Sequence, residues 1–376
     1  MKILLSCGGT GGHLAPGIAL AEGLQARGHR PLLLISRKKV DARLIEKYPQ
    51  LTFLRIPGTP WVRTPVGLAR FLVSQTHALG FSFALLRRER PQAIVGFGGF
   101  TTASLIAAGA LAGVPVALHE ANHVPGRAIR LLGRVARRVY LPPGVALPGL
   151  PRHVVRSAGM PVRNEIRRQP RAEACAALGL DPALKVVVLL GGSQGATALN
   201  AWARRQAEPL ARAGVQLYVL TGMGKGTDET LAWPEPGGRT ARAMFVSFSD
   251  RMATVLSAAD LVVSRAGAGT LAELARCGTP AILVPFPHAA DNHQAANAAA
   301  FVTAGGGRIV AQDDLSQLDL LVPSLVRDDA TLAHYRNALQ AMDRANAVDF
   351  LLDDLESLIA AGTPAPSWGS ARTLLA

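Results

Sequence analysis

The amino-acid sequence predicts an α/β protein with two similar halves, each a parallel β-sheet flanked by helices. Short apolar runs alternate with longer helical patterns along the chain, which is the order of elements that produces parallel sheets. The alternation restarts after Gly159. Each half also has a glycine-rich turn directly after its first strand, "GGTGGH" in the first half and "GGSQGA" in the second.

The first half is predicted to contain four buried strands and two helices. The strands are the apolar runs "KILLSC", "PLLLIS", "AIVGF" and "VPVALH". A helix is predicted over "PGIALAEGLQARG", because proline is favoured near a helix start and glycine just after a helix end. "TTASLIAAGALAG" predicts the second helix. The uncharged span Gly96–Leu118 is long enough to cross a bilayer, but its glycines and Pro115 favour a strand, a helix and a strand.

The second half repeats this pattern. Its predicted strands are "KVVVLLGG", "VQLYVLTG", "ADLVVS" and "PAILVPF". The boundary between the halves is expected within residues 157–170, where two prolines stand among polar residues. The apolar face of Val348–Ala360 predicts a late helix. The tail 362–376 is rich in Gly, Pro and Ser, so we expect it to be loosely ordered.

The composition narrows the range of partners. The 376 residues carry a formal net charge of +14, which indicates an acidic partner such as nucleic acid, anionic lipid or a phosphorylated substrate. Aromatic residues are only 5% of the chain, so the stacking surfaces of single-strand nucleic-acid binders are scarce. Cys7, Cys175 and Cys277 are far apart, which disfavours a disulfide framework or a zinc site and fits a reducing cytoplasm. The apolar run before Cys7 is too short for a signal peptide.

Four glycine-rich loops at predicted strand ends are candidate anion sites. They are Gly8–Gly12, Gly96–Phe100, Gly191–Ala196 and the helix-opening segment near Gly269. Glycine lets backbone N–H groups approach a ligand, and a helix N-terminus adds partial positive charge. The first loop reads neither G-x-G-x-x-G nor G-K-[ST], which disfavours a dinucleotide-dependent enzyme or a P-loop ATPase. Four loops exceed the need of one nucleotide, so two phosphate-bearing ligands are expected; the alternative for the first loop is a tight turn without a ligand.

Histidine and carboxylate side chains stand close to these loops. His13 follows the first loop at a helix N-terminus, where a neutral imidazole can accept a proton; alternatively it only caps or packs. "HEANHVPG" adds His119, Glu120, Asn122 and His123 at another strand end. A metal site there would need three converging side chains, and this alternative stays open. The sequence lacks the Asp-x-Asp pair with which metal-dependent sugar transferases hold a diphosphate.

The second half offers groups suited to a nucleotide sugar. Glu273 lies one turn into the helix that opens near Gly269, where a carboxylate can reach ribose hydroxyls. The segment "PFPHAADNHQAANA" supplies many short polar groups, including Asp291, Gln294 and Asn297, and these suit sugar hydroxyls. The alternative for this segment is a polar helix start with Asp291 as N-cap.

Together these motifs resemble the MurG family of UDP-N-acetylglucosamine transferases, glycosyltransferase family 28, which completes lipid II in peptidoglycan synthesis. The matching motifs are "GGTGGHLAPG", "HEANHVPGRA", "GMPVR", "LLGGSQGA" and "SRAGAGTLAELARCGTPAILVPFPHAADNHQAANA". They cover nearly the whole chain in order. The resemblance implies the GT-B fold, two Rossmann-like domains whose parallel sheets face a central cleft.

The resemblance also implies domain bounds and site residues. Residues 1–160 with a C-terminal helix at about 345–376 would form the acceptor and membrane-association domain, and residues 161–344 the domain that binds UDP-N-acetylglucosamine. The implied catalytic residues are His13, the candidate base, and Glu120. The implied donor-binding residues are Thr10, Gly11, Gly12, Asn122, Arg163, Ser193, Ser249, Arg265, Ala268, Gly269, Thr270, Leu271, Ala272, Glu273 and Gln294. The implied acceptor-binding residues are Gly8, Gly9, Gly98, Gly99, Phe100 and Asn122.

The sequence departs from the family pattern at three places. Met160 replaces the usual asparagine of "GNPVR", Phe100 replaces the tyrosine of "GGY", and "HEAN" replaces "HEQN". The change at Phe100 removes a hydroxyl near the expected acceptor site.

The resemblance implies an inverting transfer of N-acetylglucosamine (GlcNAc) from UDP-GlcNAc to the 4-hydroxyl of the N-acetylmuramic acid (MurNAc) of lipid I, with no cofactor and no metal. Lipid I is undecaprenyl-pyrophosphoryl-MurNAc-pentapeptide. The segment 59–91 mixes apolar residues with arginines, namely Trp61, Phe71, Leu72, Phe81 and Phe83 with Arg63, Arg70, Arg87 and Arg88. It predicts peripheral attachment to an anionic membrane at the cytoplasmic face, or else an ordinary amphipathic helix. Nucleic acid is not an expected partner.

Three other function classes remain open on the sequence. One is a related GT-B enzyme that acts on a soluble acceptor, or a UDP-sugar epimerase. The second is a dinucleotide-dependent oxidoreductase, which needs the G-x-G-x-x-G motif that the first loop lacks. The third is a non-enzymatic basic protein that binds nucleic acid or lipid, in which the polar cluster 291–297 would have no purpose.

Overall fold

The computed structural model describes residues 1–8, 11–36, 44–58, 64–192, 195–343 and 347–361. The predicted site residues Gly9, Thr10 and Ser193 lie outside this part of the chain, as do Trp61, Arg63 and the tail 362–376. The chain divides into two compact units. Unit 1 comprises residues 1–121, 125–163 and 346–376, and unit 2 comprises 122–124 and 164–345. The division after Arg163 differs from the predicted one after Met160 and leaves Arg163 in unit 1.

Among its described residues unit 1 contains seven strands and five helices, besides a helical turn at residues 44–46. The strands are β1 (Lys2–Ser6), β2 (Arg30–Ile35), β3 (Thr52–Arg55), β4 (Ala93–Gly96), β5 (Val116–His119), β6 (Arg138–Leu141) and β7 (Val155–Ser157). The helices are α1 (Gly11–Ala26), α2 (Pro65–Glu89), α3 (Phe100–Leu111), α4 (Arg127–Leu132) and, from the end of the chain, α12 (Ala347–Ala360). The four predicted strands and the late helix are confirmed.

The first predicted helix begins earlier than expected. It was predicted from Pro16, but α1 starts at Gly11 and contains Pro16. The last glycines of the first loop therefore form the first helical turn. Pro16 is the sixth residue of α1, where proline removes one of the backbone hydrogen bonds within the helix.

Sheet 1 is parallel throughout, in the order β3-β2-β1-β4-β5-β6-β7. Side chains of β1 alternate between two buried faces. Ile3 and Leu5 belong to the cluster that includes α1 and α12, and Leu4 belongs to the cluster that includes α3. Burial on both faces explains why these strands are continuous apolar runs. The strand order reverses between β1 and β4, and ligands of such folds bind beyond the strand ends at that point.

Unit 2 repeats this plan. Its strands are β8 (Lys185–Leu190), β9 (Val215–Leu220), β10 (Glu229–Pro234), β11 (Thr240–Val246), β12 (Leu261–Ser264), β13 (Ala281–Leu283) and β14 (Gly307–Ile309). Its helices are α5 (Arg171–Ala177), α6 (Thr197–Arg212), α7 (Met252–Ala258), α8 (Ala268–Cys277), α9 (His293–Thr303), α10 (Leu318–Leu325) and α11 (Asp329–Asp343). Short 3-10 helices cover Ala290–Asn292 and Gln312–Gln317.

Sheet 2 has the order β10-β11-β9-β8-β12-β13-β14, and only β10 pairs antiparallel. Without β10 its order matches that of sheet 1 without β7, with the reversal between β8 and β12. The predicted fold class, two Rossmann-like units with parallel sheets, is therefore confirmed.

The predicted membrane segment is only partly exposed. Helix α2 begins after Thr64, whose hydroxyl accepts a hydrogen bond from Gly67 N at 3.0 Å. Phe81 and Phe83 are half-buried and pack against the core of unit 1, so the expectation that they form the outer patch is wrong. Val66 and Val73 of this helix are exposed instead, at 62% and 70%. Among the described residues no helix is long and apolar enough to cross a membrane.

Helix α12 packs on α1 through a glycine notch. A Cβ atom at Gly23 would lie 2.8 Å from Val348 Cγ1 and 2.9 Å from Leu352 Cδ1. Ion pairs surround this contact, since Arg27 lies 2.6 Å from Asp353 and Arg138 lies 3.0 Å from Asp354. The end of the chain is thus held against the helix that follows the first glycine loop.

Gly23→Ala should destabilise the fold by about 1–3 kcal/mol, because the added methyl forces the two α12 side chains to move. Gly80→Ala is the matched control, since a Cβ at this helical glycine meets nothing within 4 Å. The control should be neutral or stabilising by up to about 1 kcal/mol. Urea unfolding measures the free energy of unfolding of both variants. An equal change in this free energy would contradict the close packing of α12 on Gly23.

Candidate active site

The reversal point of sheet 1 brings the first two glycine loops together. Strands β1 and β4 pair in parallel, with Ser6 opposite Gly96. The loops that follow them lead into α1 and α3. Phe100 is the first residue of α3.

His13 lies in the first turn of α1, is half-buried and faces the second loop. A Cβ atom at Gly98 would lie 3.2 Å from His13 Nε2, and the three atoms nearest to it all belong to the His13 ring. Gly98 has φ +97°, a conformation that requires glycine. The His13 ring therefore packs so closely on Gly98 that any side chain at residue 98 would contact it.

Two buried hydroxyls fix the second loop. Thr102 Oγ1 donates to the carbonyl oxygen of Gly98 at 2.5 Å and lies 3.0 Å from Ser6 Oγ. Both hydroxyl-bearing residues are fully buried. The end of β1, the start of α3 and the second loop are therefore linked by one chain of hydrogen bonds.

Glu120 has a structural contact that the sequence did not indicate. Its Oε2 accepts a hydrogen bond from Gly126 N at 2.7 Å, at the N-cap of α4. Only 6% of the residue is exposed. The carboxylate therefore holds the turn of the "HEANHVPG" segment, which limits its freedom to act as a base.

His119 is buried beside Glu120. Its Nε2 lies 3.2 Å from the carbonyl oxygen of Gly159, which can only accept, so Nε2 carries the proton. Burial lowers the pKa of His119, and the Gly159 hydrogen bond and the Glu120 charge oppose this shift. Within the described residues no group of three or more His, Cys, Asp or Glu side chains could hold a metal ion.

Segment 122–124 belongs to unit 2, where Asn297 holds it. Asn297 Nδ2 donates to Asn122 Oδ1 at 3.0 Å and to the carbonyl oxygen of Ala266 at 3.1 Å. Asn297 Oδ1 accepts from His123 N at 2.9 Å. Because Asn297 is 1% exposed and uses both ends of its amide, it is a structural link rather than the sugar contact that its sequence context suggested.

The reversal point of sheet 2 is built in the same way. Leu190 lies opposite Ser264, so the loop after β8 lies beside the loop after β12. The second of these leads into α8, with Gly267 as N-cap. The predicted donor residues of this helix are Ala268, Gly269, Thr270, Leu271, Ala272 and Glu273; all lie within its first two turns. Glu273 is half-buried, and Ser249 is half-buried between β11 and α7.

Arg265 is occupied by unit 2 itself. Its Nη1 donates to the carbonyl oxygens of Val284 and Pro285 at 3.0 and 3.3 Å, and its Nη2 donates to Gln312. The guanidinium also lies 5.4 Å from the centre of the Phe286 ring. The hydrogen bonds of Arg265 therefore shape the loop after β13.

The polar segment before α9 has an unusual backbone. Asp291 and Asn292 both have left-handed conformations, with φ of 50° and 54°. Asn292 rather than Asp291 is the N-cap of α9, and it makes no side-chain cap bond, so the helix-cap alternative for Asp291 is wrong. Gln294 Oε1 accepts from Phe286 N at 2.9 Å. This contact turns the carboxamide so that its Nε2 is the group available to donate to a ligand.

Arg163 is the last residue of unit 1 before the chain enters unit 2, and it is 7% exposed. Its Nη1 lies 3.4 Å from Tyr48 Oη. The sequence predicts Arg163 in the donor-binding domain, whereas the structure has it in unit 1.

Comparison with known proteins decides the family. The model of the glycosyltransferase family 28 N-terminal domain matches residues 3–141, and that of the glycosyltransferase family 28 C-terminal domain matches residues 186–351. The chain belongs to glycosyltransferase family 28. The chain is therefore a glycosyltransferase, and the expected family is confirmed.

Curated relatives match over nearly the whole chain. A family 28 protein from Opitutus terrae is 54% identical over 96% of this chain and 97% of its own. One from Desulforudis audaxviator is 36% identical over 96% of this chain and 100% of its own. Both are named UDP-N-acetylglucosamine–N-acetylmuramyl-(pentapeptide) pyrophosphoryl-undecaprenol N-acetylglucosamine transferase.

Solved structures of glycosyltransferases show the same fold. Acinetobacter baumannii MurG aligns with a TM-score of 0.64 at 24% identity, covering 95% of this chain and 99% of its own. The calicheamicin glycosyltransferase CalG4 aligns with a TM-score of 0.67 at 16% identity, covering 97% of this chain and 100% of its own. At these identities the likeness concerns the GT-B fold alone.

In this family 28 chain the predicted residues form two groups. His13 and Gly98 lie together at the reversal point of sheet 1, and the residues of α8 lie at that of sheet 2. Sequence reasoning missed Ser6, Thr102 and Gln312, because hydroxyl and amide side chains in or beside apolar runs carry no pattern that predicts their partners.

Stability should fall as the pH falls below about 6.5, the usual pKa of histidine in an unfolded chain. Burial lowers the pKa of His119 in the folded protein, so the unfolded chain binds more protons in this range. His123 acts in the same direction. One such proton changes the unfolding free energy by about 1.4 kcal/mol per pH unit. Urea unfolding at several pH values between about 7.5 and 5.5 measures the free energy of unfolding. This free energy should depend less steeply on pH for His119→Gln than for the unaltered protein. The same pH dependence in both proteins would contradict this.

Proposed function

We propose that the chain transfers GlcNAc from UDP-GlcNAc to the MurNAc 4-hydroxyl of lipid I, which yields lipid II for peptidoglycan synthesis. The observation that carries this proposal is the 54% identity to the Opitutus terrae transferase over 96% of the chain. The order of the motifs at both reversal points supports it. The acceptor would be undecaprenyl-pyrophosphoryl-MurNAc-pentapeptide.

In this proposal unit 2 binds the donor. The N-terminus of α8 presents backbone N–H groups and the positive end of the helix dipole, which suit a diphosphate. Glu273 would accept hydrogen bonds from the ribose hydroxyls, the backbone at Ser249 would contact uracil, and Gln294 Nε2 would donate to the sugar. The glycine loop at Ser193 completes the proposed donor contacts of unit 2.

Unit 1 binds the acceptor in the proposal. Gly8–Gly12 and the Gly98–Phe100 loop would offer N–H groups to the lipid pyrophosphate. His13 would take the proton of the attacking hydroxyl, since the positive end of α1 favours a neutral imidazole. The contact of Glu120 with Gly126 makes Glu120 the second choice for the base. Direct attack on the anomeric carbon would invert its configuration, and the α8 N-terminus would stabilise the departing UDP without a metal.

The outer surface of unit 1 supports peripheral attachment to an anionic membrane at the cytoplasmic face. Besides Val66 and Val73 on α2, exposed apolar side chains occur at Leu111, Leu131 and Val135, which are 75%, 64% and 50% exposed. Exposed arginines accompany them at positions 70, 87, 88, 130 and 134. Apolar side chains among basic residues suit insertion at an anionic lipid surface.

The activity itself is the first test. The full chain, given UDP-GlcNAc and a lipid I analogue, should release UDP and form the disaccharide product, with and without EDTA. His13→Ala should lower kcat by about 10²–10⁴-fold, the range for a positioned general base. His334→Ala, which alters an exposed histidine of unit 2, should leave kcat unchanged. Transfer to soluble acceptors only would overturn the assignment of lipid I as acceptor. A near-normal kcat for His13→Ala would overturn the assignment of His13 as the base.

Glu273→Ala should weaken UDP binding by about 1.5–3 kcal/mol, as expected for a hydrogen bond to a charged group. The control is Glu173→Gln, which changes an exposed carboxylate in α5 and should leave affinity unaltered. Isothermal titration calorimetry with UDP measures both variants. If Glu273→Ala binds UDP as the unaltered protein does, its ribose role is excluded.

Liposome binding should rise with anionic lipid and fall with salt, because exposed charges are screened over a Debye length of about 8 Å at physiological ionic strength. Val73→Ser with Leu111→Ser should weaken binding, whereas Leu320→Ser, at an 80% exposed leucine of unit 2, should not. Co-sedimentation with neutral and anionic vesicles measures this. Equal binding to both vesicle types would contradict an electrostatic contribution.

A further inference from the structure

We propose that His293 is a positioning residue for the donor sugar, because its imidazole holds loop 286–294 in the conformation that keeps Gln294 Nε2 available to the ligand. This loop follows β13 and ends in the first turn of α9. The inference rests on the proposed function, in which Gln294 Nε2 donates to the sugar. It adds a residue that acts through Gln294 rather than through its own contact with the donor.

Hydrogen bonds connect loop 286–294 from one end to the other. The carbonyl oxygen of Phe286 accepts from Ala289 N at 3.2 Å, and that of Ala289 accepts from Asn292 N at 2.9 Å. Phe286 N in turn donates to Gln294 Oε1 at 2.9 Å. Phe286 is therefore bonded to the middle of the loop and to its last side chain, so the orientation of the Gln294 carboxamide depends on the turn between them.

The turn in the middle of the loop has a strained backbone. Asp291 and Asn292 are consecutive residues in the left-handed region, with φ of 50° and 54° and ψ of 26° and 28°. This conformation is unfavourable for residues other than glycine, and it persists where the surrounding structure fixes it. The left-handed pair therefore needs contacts that hold it in place.

His293 supplies such a contact directly after the pair. Its Nδ1 lies 2.7 Å from the carbonyl oxygen of Ala290, which can only accept, so Nδ1 carries the proton and donates. The same oxygen also accepts the backbone N–H of His293. Ala290 and His293 bracket the left-handed pair, so these two hydrogen bonds close the turn around it.

The beginning of the loop is fixed by a different residue. Arg265 Nη1 donates to the carbonyl oxygens of Val284 and Pro285, which directly precede Phe286. Phe286 N is thus held in place without His293. The position of Gln294 relative to this N–H group then depends on the turn that His293 closes.

The main test measures the dissociation constants of UDP-GlcNAc and UDP with the full chain by isothermal titration calorimetry. His293→Phe should raise the constant for UDP-GlcNAc about three- to tenfold, the effect of losing one neutral hydrogen bond. The constant for UDP, which lacks the sugar, should stay unchanged, and this also shows that the variant is folded. His334→Phe, at an exposed histidine of α11, should change neither constant. The proposal is wrong unless His293→Phe weakens UDP-GlcNAc more than UDP.

Two further variants separate positioning from direct contact. The amide nitrogen of asparagine lies as many bonds from Cα as Nδ1 of histidine, so His293→Asn should restore the affinity for UDP-GlcNAc. Glutamine places its amide farther out, near the distance of Nε2, so His293→Gln should bind as weakly as His293→Phe. Asparagine that binds no better than glutamine would overturn the positioning role, and rescue by glutamine alone would indicate direct contact through Nε2.

A Gln294 variant distinguishes this inference from the proposed function. Gln294→Ala should weaken UDP-GlcNAc by about the same factor as His293→Phe, and His293→Phe should add little in that background, because both act on one contact. If Gln294→Ala leaves the affinity unchanged, the proposed sugar contact is wrong and the positioning role falls with it. If Gln294→Ala weakens binding and His293→Phe adds its full effect, only the positioning role is wrong.

Discussion

The structure depends on close approach of the backbone at the turns that follow its central strands. At Gly96, the last residue of β4, and at Gly195, in the loop after β8, a neighbouring group occupies the place where a side chain would start. A Cβ at Gly96 would lie 2.5 Å from Thr102 Cγ2, and one at Gly195 would lie 2.0 Å from the carbonyl oxygen of Thr221. Only glycine at these residues therefore lets the backbone pack this closely against adjacent strands and helices. This packing places helix N-termini and His13 at the strand ends.

Both sheets have the same arrangement of central strands and the loops that follow them. Each has its first strand beside its fourth in the Rossmann order, and each reversal point joins two loops, one of which leads into a long helix. Repetition of one plan gives two sites of similar electrostatic character, each with helix N-termini available to a phosphate group. The differences lie in the side chains. Unit 1 adds an imidazole at its loop, whereas unit 2 adds a carboxylate at Glu273 and the left-handed pair Asp291 and Asn292, whose strained backbone is typical of functional turns.

The sequence predicted the buried strands, the late helix and the glycine turns well, because these depend on local patterns of apolar residues and breakers. It misplaced the start of α1, since glycines that looked like a loop form the first helical turn. It did not predict the β10–β11 hairpin. Antiparallel addition at a sheet edge leaves side chains of β10 exposed, and these give no strong apolar run.

Within the site, residue types were predictable but partners were not. The hydrogen bonds of Arg265 and Asn297 join segments that are distant along the chain, so no spacing rule reveals them. Arg265, which the sequence predicts to be a donor-binding residue, supports the loop after β13. Asn297 looked like a sugar ligand and instead holds segment 122–124. Both residues show that a polar side chain near a glycine loop can serve the loop's structure rather than the substrate.

The central claim is that unit 2 binds the nucleotide and unit 1 does not. Hydrogen–deuterium exchange with and without UDP tests it directly on the intact chain. We expect slower exchange in peptides that cover 245–251 and 265–275, with no change in peptides that cover the first turn of α1 or residues 96–102. Protection by UDP confined to the glycine loops of unit 1 would contradict it.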